Sequence, residues 1–255
     1  MSIGLLGKKL GMTHVYDEYG RRRGVTVIQA GPCTVIELRS KALQLGFEPV
    51  KESDVTKPRL GQFKKAGVTP FRYVQEFRLP AALRVKGKSA AAAVPAEGES
   101  AEWKVGQQLT VEMFQEHELV DVGGISVGKG FQGGMKRWHW RGGPETHGSM
   151  SHRAPGSIGS TTTPGRVWKG HHLPGHMGAD RVTVQNVRIA RLDAANNLLL
   201  VEGSVPGGEH ALVWVTKSMK RPGVIRKPQA FQTVFEDEDE KLNKNAKAAK
   251  AKKPA

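Results

Sequence analysis

Hydrophobic residues recur at every second position in several short segments of the chain, and this period predicts β-strands. Residues 24–29 are rich in β-branched side chains and end at an Ala-Gly-Pro break, after which residues 33–38 form the next predicted strand. With the N-terminal residues 3–16, these segments predict a β-meander. Later alternating or apolar segments predict further strands at 75–79, 105–114, 119–122, 182–189, 198–202 and 212–215.

Two stretches interrupt this pattern before the middle of the chain. Residues 40–72 are polar, contain three prolines and are predicted to be irregular, apart from a short helix at 60–67. Residues 81–101 include four consecutive alanines and are predicted to form a low-complexity surface insertion. The predicted fold class is therefore mainly β: a small antiparallel β-barrel with an irregular α/β insertion at about 40–100 and a long extended internal loop.

The predicted loop, residues 126–178, has no apolar periodicity and therefore no face to bury in a core of its own. It contains 13 glycines, seven Lys or Arg residues and a single acid, Glu145. Six of the nine histidines and three of the five tryptophans of the chain also lie there. Disordered linkers are poor in aromatic residues, so this composition predicts an extension that is ordered by a partner. Dense positive charge with interleaved aromatic residues favours RNA as that partner.

The composition of the whole chain supports a polyanionic partner. Its 255 residues carry a formal net charge of +15, which favours nucleic acid or an anionic membrane surface. No apolar span or N-terminal signal core is apparent, which favours a cytosolic protein. The single cysteine, Cys33, lies in an apolar run and is predicted to be buried. The predicted domains are the barrel, the loop and a disordered charged tail, at 1–125 with 179–222, 126–178 and 223–255.

Motifs that would indicate catalysis or a metal are incomplete. Residues 124–130 resemble a phosphate-binding loop, but three residues separate the glycines and Gly130 follows the lysine. The histidines at 171, 172 and 176 lack neighbouring cysteines or paired carboxylates, so a metal site is not predicted. Ser149, Ser151 and His152 lie in a polar glycine-rich loop, which is a poor host for a catalytic triad. We expect no catalytic residue, cofactor or metal.

Two groups of side chains have alternative interpretations. Trp138, Trp140 and Trp168 either pack beneath the loop and hold it to the barrel, or place an indole against a base or ribose. The arginines at 21, 22 and 23 either form a solvated turn or contact phosphate at a hairpin tip.

Several motifs in the same order and spacing resemble the signature of the ribosomal protein L3 family, in its bacterial form, over about residues 2–222. The matching segments are GLLGKKLGMT at 4–13, GKGFQGGMKRW at 128–138, THGS at 146–149, SHRAPGSIG at 151–159, TPGRVWKG at 163–170 and RVTVQN at 181–186.

The resemblance implies a β-barrel of the translation-factor type and direct, early binding to large-subunit (23S) rRNA. It also implies neighbouring large-subunit proteins L14 and L19, and an extension that reaches toward the peptidyl-transferase centre. The tip near that centre would comprise Ser157, Ser160, Thr161, Thr162, Thr163 and Arg166. The rRNA-binding residues would be Lys8, Lys9, Lys129, Lys136, Arg137, Trp138, His139, Arg141, His147, Ser151, His152, Arg153, Arg166, Trp168, Lys169, His171 and His172.

One position departs from the family pattern. Many bacterial members have Gln-Asn-Gln before the Thr-Pro-Gly motif and are methylated on the second Gln, but this chain has Ser160-Thr161-Thr162. That modification therefore does not carry over to Thr162. The alternatives to a ribosomal role are a free-standing nucleic-acid-binding or RNA-chaperone protein and, less simply, an enzyme that acts on RNA.

Overall fold

The computed structural model describes residues 4–39, 42–79 and 103–228, and this part of the chain is mainly β, as predicted. Its strands are Gly4–Tyr16 (β1), Arg22–Ala30 (β2), Cys33–Arg39 (β3), Ala42–Pro49 (β4), Phe71–Arg78 (β5), Gln108–Leu109 (β6), Leu119–Ile125 (β7), Gly130–Gln132 (β8), Gly175–Met177 (β9), Arg181–Asp193 (β10), Leu198–Glu202 (β11) and Leu212–Lys217 (β12). The α-helices are Lys57–Ala66 (α1) and Gly134–Trp138 (α2). Single 3-10 turns cover Glu52–Asp54 and Val111–Met113.

Six strands form a closed antiparallel barrel in the order β1-β12-β7-β10-β11-β2. Each strand pairs with two neighbours, and β2 returns to β1 to close the ring. The closed ring leaves no unpaired strand edge around the core. Fully buried side chains fill its interior, among them Leu5, Leu6, Ile28, Leu199 and Val213.

A buried carboxylate fixes a bulge in the barrel strand that follows the long loop. The register of β10 against β7 shifts between Val184 and Val187. There Asn186 has φ 57° and donates its backbone N–H to Asp121, whose side chain is almost fully buried, over 2.8 Å. The second Asp121 oxygen accepts the N–H of Met219 at 3.2 Å. These bonds satisfy both oxygens of a carboxylate that would otherwise be costly to bury.

The second sheet has the order β5-β4-β3-β6 and packs against the barrel. The predicted meander is therefore wrong at β3, which pairs with β4 and β6 and leaves β2 after Pro32. The prediction of an irregular segment over 40–72 is also wrong at β4, where Leu43, Leu45 and Phe47 are buried. The predicted strand at 105–114 is short, since β6 has two residues before a 3-10 turn.

Helix α1 covers one face of this sheet. It begins three residues before the predicted segment and ends at Gly67, which has φ 67° and donates its backbone N–H to Lys64. A left-handed glycine is the commonest residue after a helix C-terminus. Phe63, the one buried residue of α1, packs edge-on against Phe71 of β5 with ring centroids 6.2 Å apart.

Cys33 lies at the junction of the barrel and the second sheet and is fully buried, as predicted. Its sulfur accepts the N–H of Leu6 at 3.3 Å and lies 3.4 Å from the carbonyl oxygen of the same residue. Burial raises the pKa of the Cys33 thiol to about 12. The thiol is therefore neutral at physiological pH and acts as a packing residue.

The last described residues return to the barrel. Val224 accepts the backbone N–H of Leu119, and Arg226 donates its own N–H to His117 at 2.8 Å. The first residues of the tail predicted at 223–255 are thus bound to β7 and the turn before it. The tail after residue 228 and the predicted alanine-rich insertion at 81–101 lie outside the described residues. Among the described helices, none is long and apolar enough to cross a membrane.

Candidate nucleic-acid interface

The extension, residues 126–178, leaves the barrel at the end of β7 and returns at the start of β10. Ser126 donates its N–H to the carbonyl of Asp180 at 2.9 Å and accepts the N–H of Ala179 at 3.2 Å. Strands β8 and β9 then pair in the register Gly130↔Met177 to Gln132↔Gly175. Both ends of the extension are therefore held together in a two-stranded stem.

An elbow follows the stem and consists of α2 with the residues packed on it. The ring of Trp140 lies so close to Gly134 that a Cβ there would be 2.1 Å from the indole. Gly134 is the only buried residue among 126–178, all of which the structure describes. The absence of a side chain at Gly134 thus allows Trp140 to cover the helix.

The return arm of the extension crosses the same elbow. The carbonyl of Leu173 accepts hydrogen bonds from the Arg137 guanidinium at 2.8 Å and from the Trp138 indole N–H at 2.9 Å. The ring of His172 stacks on Trp138 with centroids 4.0 Å apart and planes within 5°. Arg137 also lies 4.9 Å from the centre of the Trp138 ring. Arg137 and Trp138, two predicted contacts that are adjacent in the sequence, are thus bonded to a residue more than thirty positions further along the chain.

Beyond the elbow, two backbone segments approach closely. Gly143 donates its N–H to the carbonyl of His152 at 3.0 Å, and a Cβ at Gly143 would lie 2.0 Å from the carbonyl oxygen of Ser151. The His152 ring Nδ1 lies 3.0 Å from the carbonyl oxygen of Pro144. A carbonyl only accepts, so this contact places the proton of neutral His152 on Nδ1. The backbone therefore orients His152, and no hydroxyl among the described residues is hydrogen-bonded to its ring.

The tip of the extension, residues 153–168, has no regular structure, and every residue except Pro164 is exposed. Its internal polar contacts are local, such as the Ser157 hydroxyl bond to the carbonyl of Gly159 at 3.2 Å. The predicted contacts Ser160, Thr161, Thr162 and Thr163 are exposed here. Arg166 lies 5.8 Å from the ring centre of Trp168, which is 62% exposed. The tip therefore presents polar and aromatic groups to its surroundings.

The charges of the extension are not neutralised by the described part of the protein. None of its seven Lys and Arg side chains lies within 4.0 Å of a carboxylate oxygen among the described residues. The remaining predicted contacts on the extension are exposed side chains: Lys129, Lys136, His139, Arg141, His147, Ser151, Arg153, Lys169 and His171. Unpaired, exposed cations of one sign attract a polyanion.

Two predicted residues lie apart from this surface. The Lys8 ammonium forms an ion pair with Glu48 at 3.0 Å and so links β1 to β4. The Lys9 ammonium donates to the carbonyls of Val205 and Gly207 at 2.9 and 3.0 Å. The protein itself holds both groups, so their role in RNA binding stays a prediction without geometric support.

The arginines at the first hairpin are also held by the protein. Arg23 lies 3.4 Å from Asp17, and Arg21 lies 3.7 Å from the same carboxylate. Asp17 in addition accepts the backbone N–H groups of Tyr19 and Arg21. These contacts favour the interpretation of a structured turn over that of a free phosphate contact.

The three tryptophans lie in different surroundings, and contact of an indole with a base or ribose stays a prediction. Trp140 packs inside the extension, Trp168 is exposed, and Trp138 has one edge bonded to Leu173 and a face against His172. Leu173 could not be predicted as the common acceptor, since its contribution is a backbone carbonyl. The pairing of Gly134 with Trp140 was also missed, although a glycine inside a helical turn is a usable indication of close packing.

Three histidines considered as metal ligands do not converge on one site. His172 is stacked on Trp138, and within the described residues no group of three His, Cys, Asp or Glu side chains is placed to hold a metal ion.

The fold and the surface together define a class of protein: a closed β-barrel from which a cationic extension without a core projects. The family model described as Ribosomal protein L3 matches residues 83–197. A protein of Brachyspira pilosicoli named large ribosomal subunit protein uL3 is 42% identical over 225 residues, covering 86% of this chain and 95% of the relative. Proteins of the same name from Acidothermus cellulolyticus and Geobacter sulfurreducens are 47% and 43% identical, covering 85% and 86% of this chain and 93% and 99% of the relatives.

The chain belongs to the ribosomal protein L3 family. These relatives cover 85–86% of the chain, and the family match at 83–197 includes the whole extension, which confirms the resemblance predicted from the sequence motifs.

Proposed function

We propose that this chain is a structural constituent of the large ribosomal subunit, located in the cytoplasm, and that its extension binds 23S rRNA directly. One observation carries the proposal: the extension has 53 residues, a single buried one, and seven cations without a carboxylate partner among the described residues. A surface of this kind suits an RNA backbone, and its exposed aromatic rings suit unpaired bases.

Because the extension has no hydrophobic core, contacts with RNA have to stabilise its ordered conformation. Each residue fixed in one backbone conformation costs ~1–2 kcal/mol, and burial of Gly134 with its cover by Trp140 offsets little of that total. An extended chain of this length that goes out and back spans up to ~85 Å.

The finer roles belong to the same proposal, and the family resemblance and the exposed cationic extension support them. The barrel, of the translation-factor type, and the inserted subdomain at about 40–100 form the body, next to L14 and L19. The extension at 126–178 penetrates the rRNA early in assembly and supports the RNA around the peptidyl-transferase centre. Within the exposed tip, residues 157–166 lie nearest to that centre, and the protein does no chemistry itself.

The proposal is tested with a charge variant of the extension and a matched control. Lys136→Gln with Arg141→Gln and Arg153→Gln removes three exposed cations from the extension, whereas Lys57→Gln with Lys65→Gln and Arg59→Gln removes three exposed cations from α1. Each lost contact to a single-stranded phosphate lowers the magnitude of the slope of log affinity against log salt by ~0.7. We therefore expect a loss of about two slope units for the extension variant alone.

Chemical footprinting of 23S rRNA with the full-length protein gives the second readout. Protected nucleotides should include the peptidyl-transferase region, and that protection should be lost in the extension variant. Equal losses of slope in both variants would mean that only overall charge matters, which contradicts the proposal. Release of the protein from large subunits by a moderate salt wash would instead support a free-standing nucleic-acid-binding protein.

A further inference from the structure

A polar groove of about 490 Å³ lies on the barrel, away from the extension. Its charged lining comprises Arg21, Arg23, Arg188, Arg226, Lys227 and Glu202. The extension leaves the β7–β10 pair at Ile125↔Arg181, whereas the groove lies at the other end of that pair, at Leu119↔Arg188. Seven residues along a strand span ~23 Å, so the groove is distinct from the surface proposed above.

The groove keeps a positive excess after its internal pairs are counted. Arg188 binds the Glu202 carboxylate through two nitrogens, one of them at 3.0 Å, and Arg23 lies 3.9 Å from the same carboxylate. Asp17 lies against Arg21 and Arg23 from the hairpin side. Five cations thus face two carboxylates, and no other described acid lines the groove.

The chain itself leads an acidic segment to this groove. Backbone bonds fix residues 224–226 to the start of β7, and Arg188 donates to the carbonyl of Arg226 at 3.1 Å. Pro228, the last described residue, is buried in the groove lining. Five consecutive acids follow at 236–240, outside the described residues. The intervening seven residues span up to ~25 Å, enough for the acids to return to the groove.

We propose that the groove is a docking site for the chain's own acidic block, residues 236–240. Five carboxylates match a groove with an excess of guanidinium and ammonium groups, and charge-assisted hydrogen bonds between such groups are the strong ones. A short tether holds the block at an effective concentration of ~1 mM. The block therefore shields the groove from other anions and limits its positive field while the protein is free of RNA.

The test uses the full-length protein and no RNA, so its outcome is independent of the function proposed above. One variant neutralises the block: E236Q, D237N, E238Q, D239N and E240Q. A second removes two groove cations with R226Q and K227Q. The matched control removes two exposed cations of the same C-terminal segment that do not line the groove, with K220Q and R221Q.

Backbone amide and arginine Nε signals in NMR spectra report occupancy directly. Neutralising the block should shift the signals of Arg188 and Arg226, and ~1 M NaCl should remove the difference because it screens charges to ~3 Å. Shifts confined to residues 229–255 would overturn the proposal, since the acids would then pair with the lysines that follow them.

Competition by tripolyphosphate gives the quantitative arm. A block that occupies the groove at an effective concentration of ~1 mM competes with tripolyphosphate, so neutralising the block should tighten tripolyphosphate binding several-fold. That gain should fall below about twofold in the R226Q and K227Q background and persist with K220Q and R221Q. An equal gain in every background, or no gain in the wild-type groove, would show that the block does not occupy the groove and would leave it to RNA phosphates.

Discussion

The contact between Gly134 and Trp140 gives the sharpest prediction about the elbow of the extension. In Gly134→Ala the new Cβ would lie 2.1 to 2.2 Å from three carbons of the indole, against an optimal separation of ~3.5–4.0 Å. The ring must therefore retreat by about 1.5 Å. Because Gly134 does not have a positive φ, the effect is steric and owes nothing to backbone strain.

The magnitude follows from two opposing terms. Overpacking of this kind costs ~1–3 kcal/mol, and replacing glycine with alanine in a helix recovers up to ~1 kcal/mol. A net loss of ~1–2 kcal/mol in the elbow corresponds to about 5- to 30-fold weaker binding of 23S rRNA, if the elbow has to form in the complex.

The assay is the equilibrium affinity of the full-length protein for a 23S rRNA fragment, at one fixed salt concentration. Gly133→Ala is the matched control, because a Cβ there would meet no atom within 4 Å and Gly133 is the adjacent position. The two variants should have the same net charge and the same global stability. Equal affinities for Gly134→Ala and Gly133→Ala would refute the reasoning.

Three further predictions concern the barrel. Cys33 should not react with a thiol reagent in native buffer at pH 8, since burial raises its pKa to about 12, and it should react after unfolding; rapid native labelling would contradict its burial. Gly123→Ala should destabilise the barrel by ~1–3 kcal/mol in urea unfolding, because a Cβ would lie 2.1 Å from the Trp214 indole nitrogen, whereas Gly24→Ala should not, since a Cβ there meets nothing within 4 Å. Partial desolvation raises the pKa of Asp17, but hydrogen bonds from the backbone N–H groups of Arg21 and Tyr19 outweigh it and hold the pKa below the ordinary 3.8. Its ionised form therefore adds stability above pH 3.8 that is lost as the pH falls through the lower folded-state pKa. Asp17→Asn should remove that part of the acid dependence of unfolding, and an unchanged pH profile would argue against the turn contacts.

Most of the barrel could be predicted from the sequence because its strands bury one face and alternate. β7, β10, β11 and β12 all contain apolar residues at strand spacing, and each predicted segment lies within an observed strand. Strand β4 was missed because its alternation, with Leu43, Leu45 and Phe47 inside, is short and ends at Pro49 before a polar segment with two more prolines. The assignment of β3 to a second sheet was missed because pairing partners depend on tertiary packing, which a local pattern does not encode.

In the extension, too, features set by local composition could be predicted, whereas contacts between distant residues could not. Its lack of a core and its charge were predictable from composition. The bonds of Arg137 and Trp138 to one backbone carbonyl were not, since Leu173 carries no side-chain signal and lies far along the chain. Whether Lys8 and Lys9 were available to RNA was equally unpredictable, because the groups that hold them, Glu48 and the carbonyls of Val205 and Gly207, lie far along the chain.

Hydrogen exchange of the amides of residues 126–178, with and without 23S rRNA, tests most directly whether RNA gives the extension its order. We expect fast exchange throughout the extension of the free protein, apart from the stem at β8 and β9, and slow exchange of the elbow and the tip in the complex. Barrel amides should be slow in both states and serve as the internal reference. Equal protection of the elbow and the tip in the absence of RNA would contradict the account.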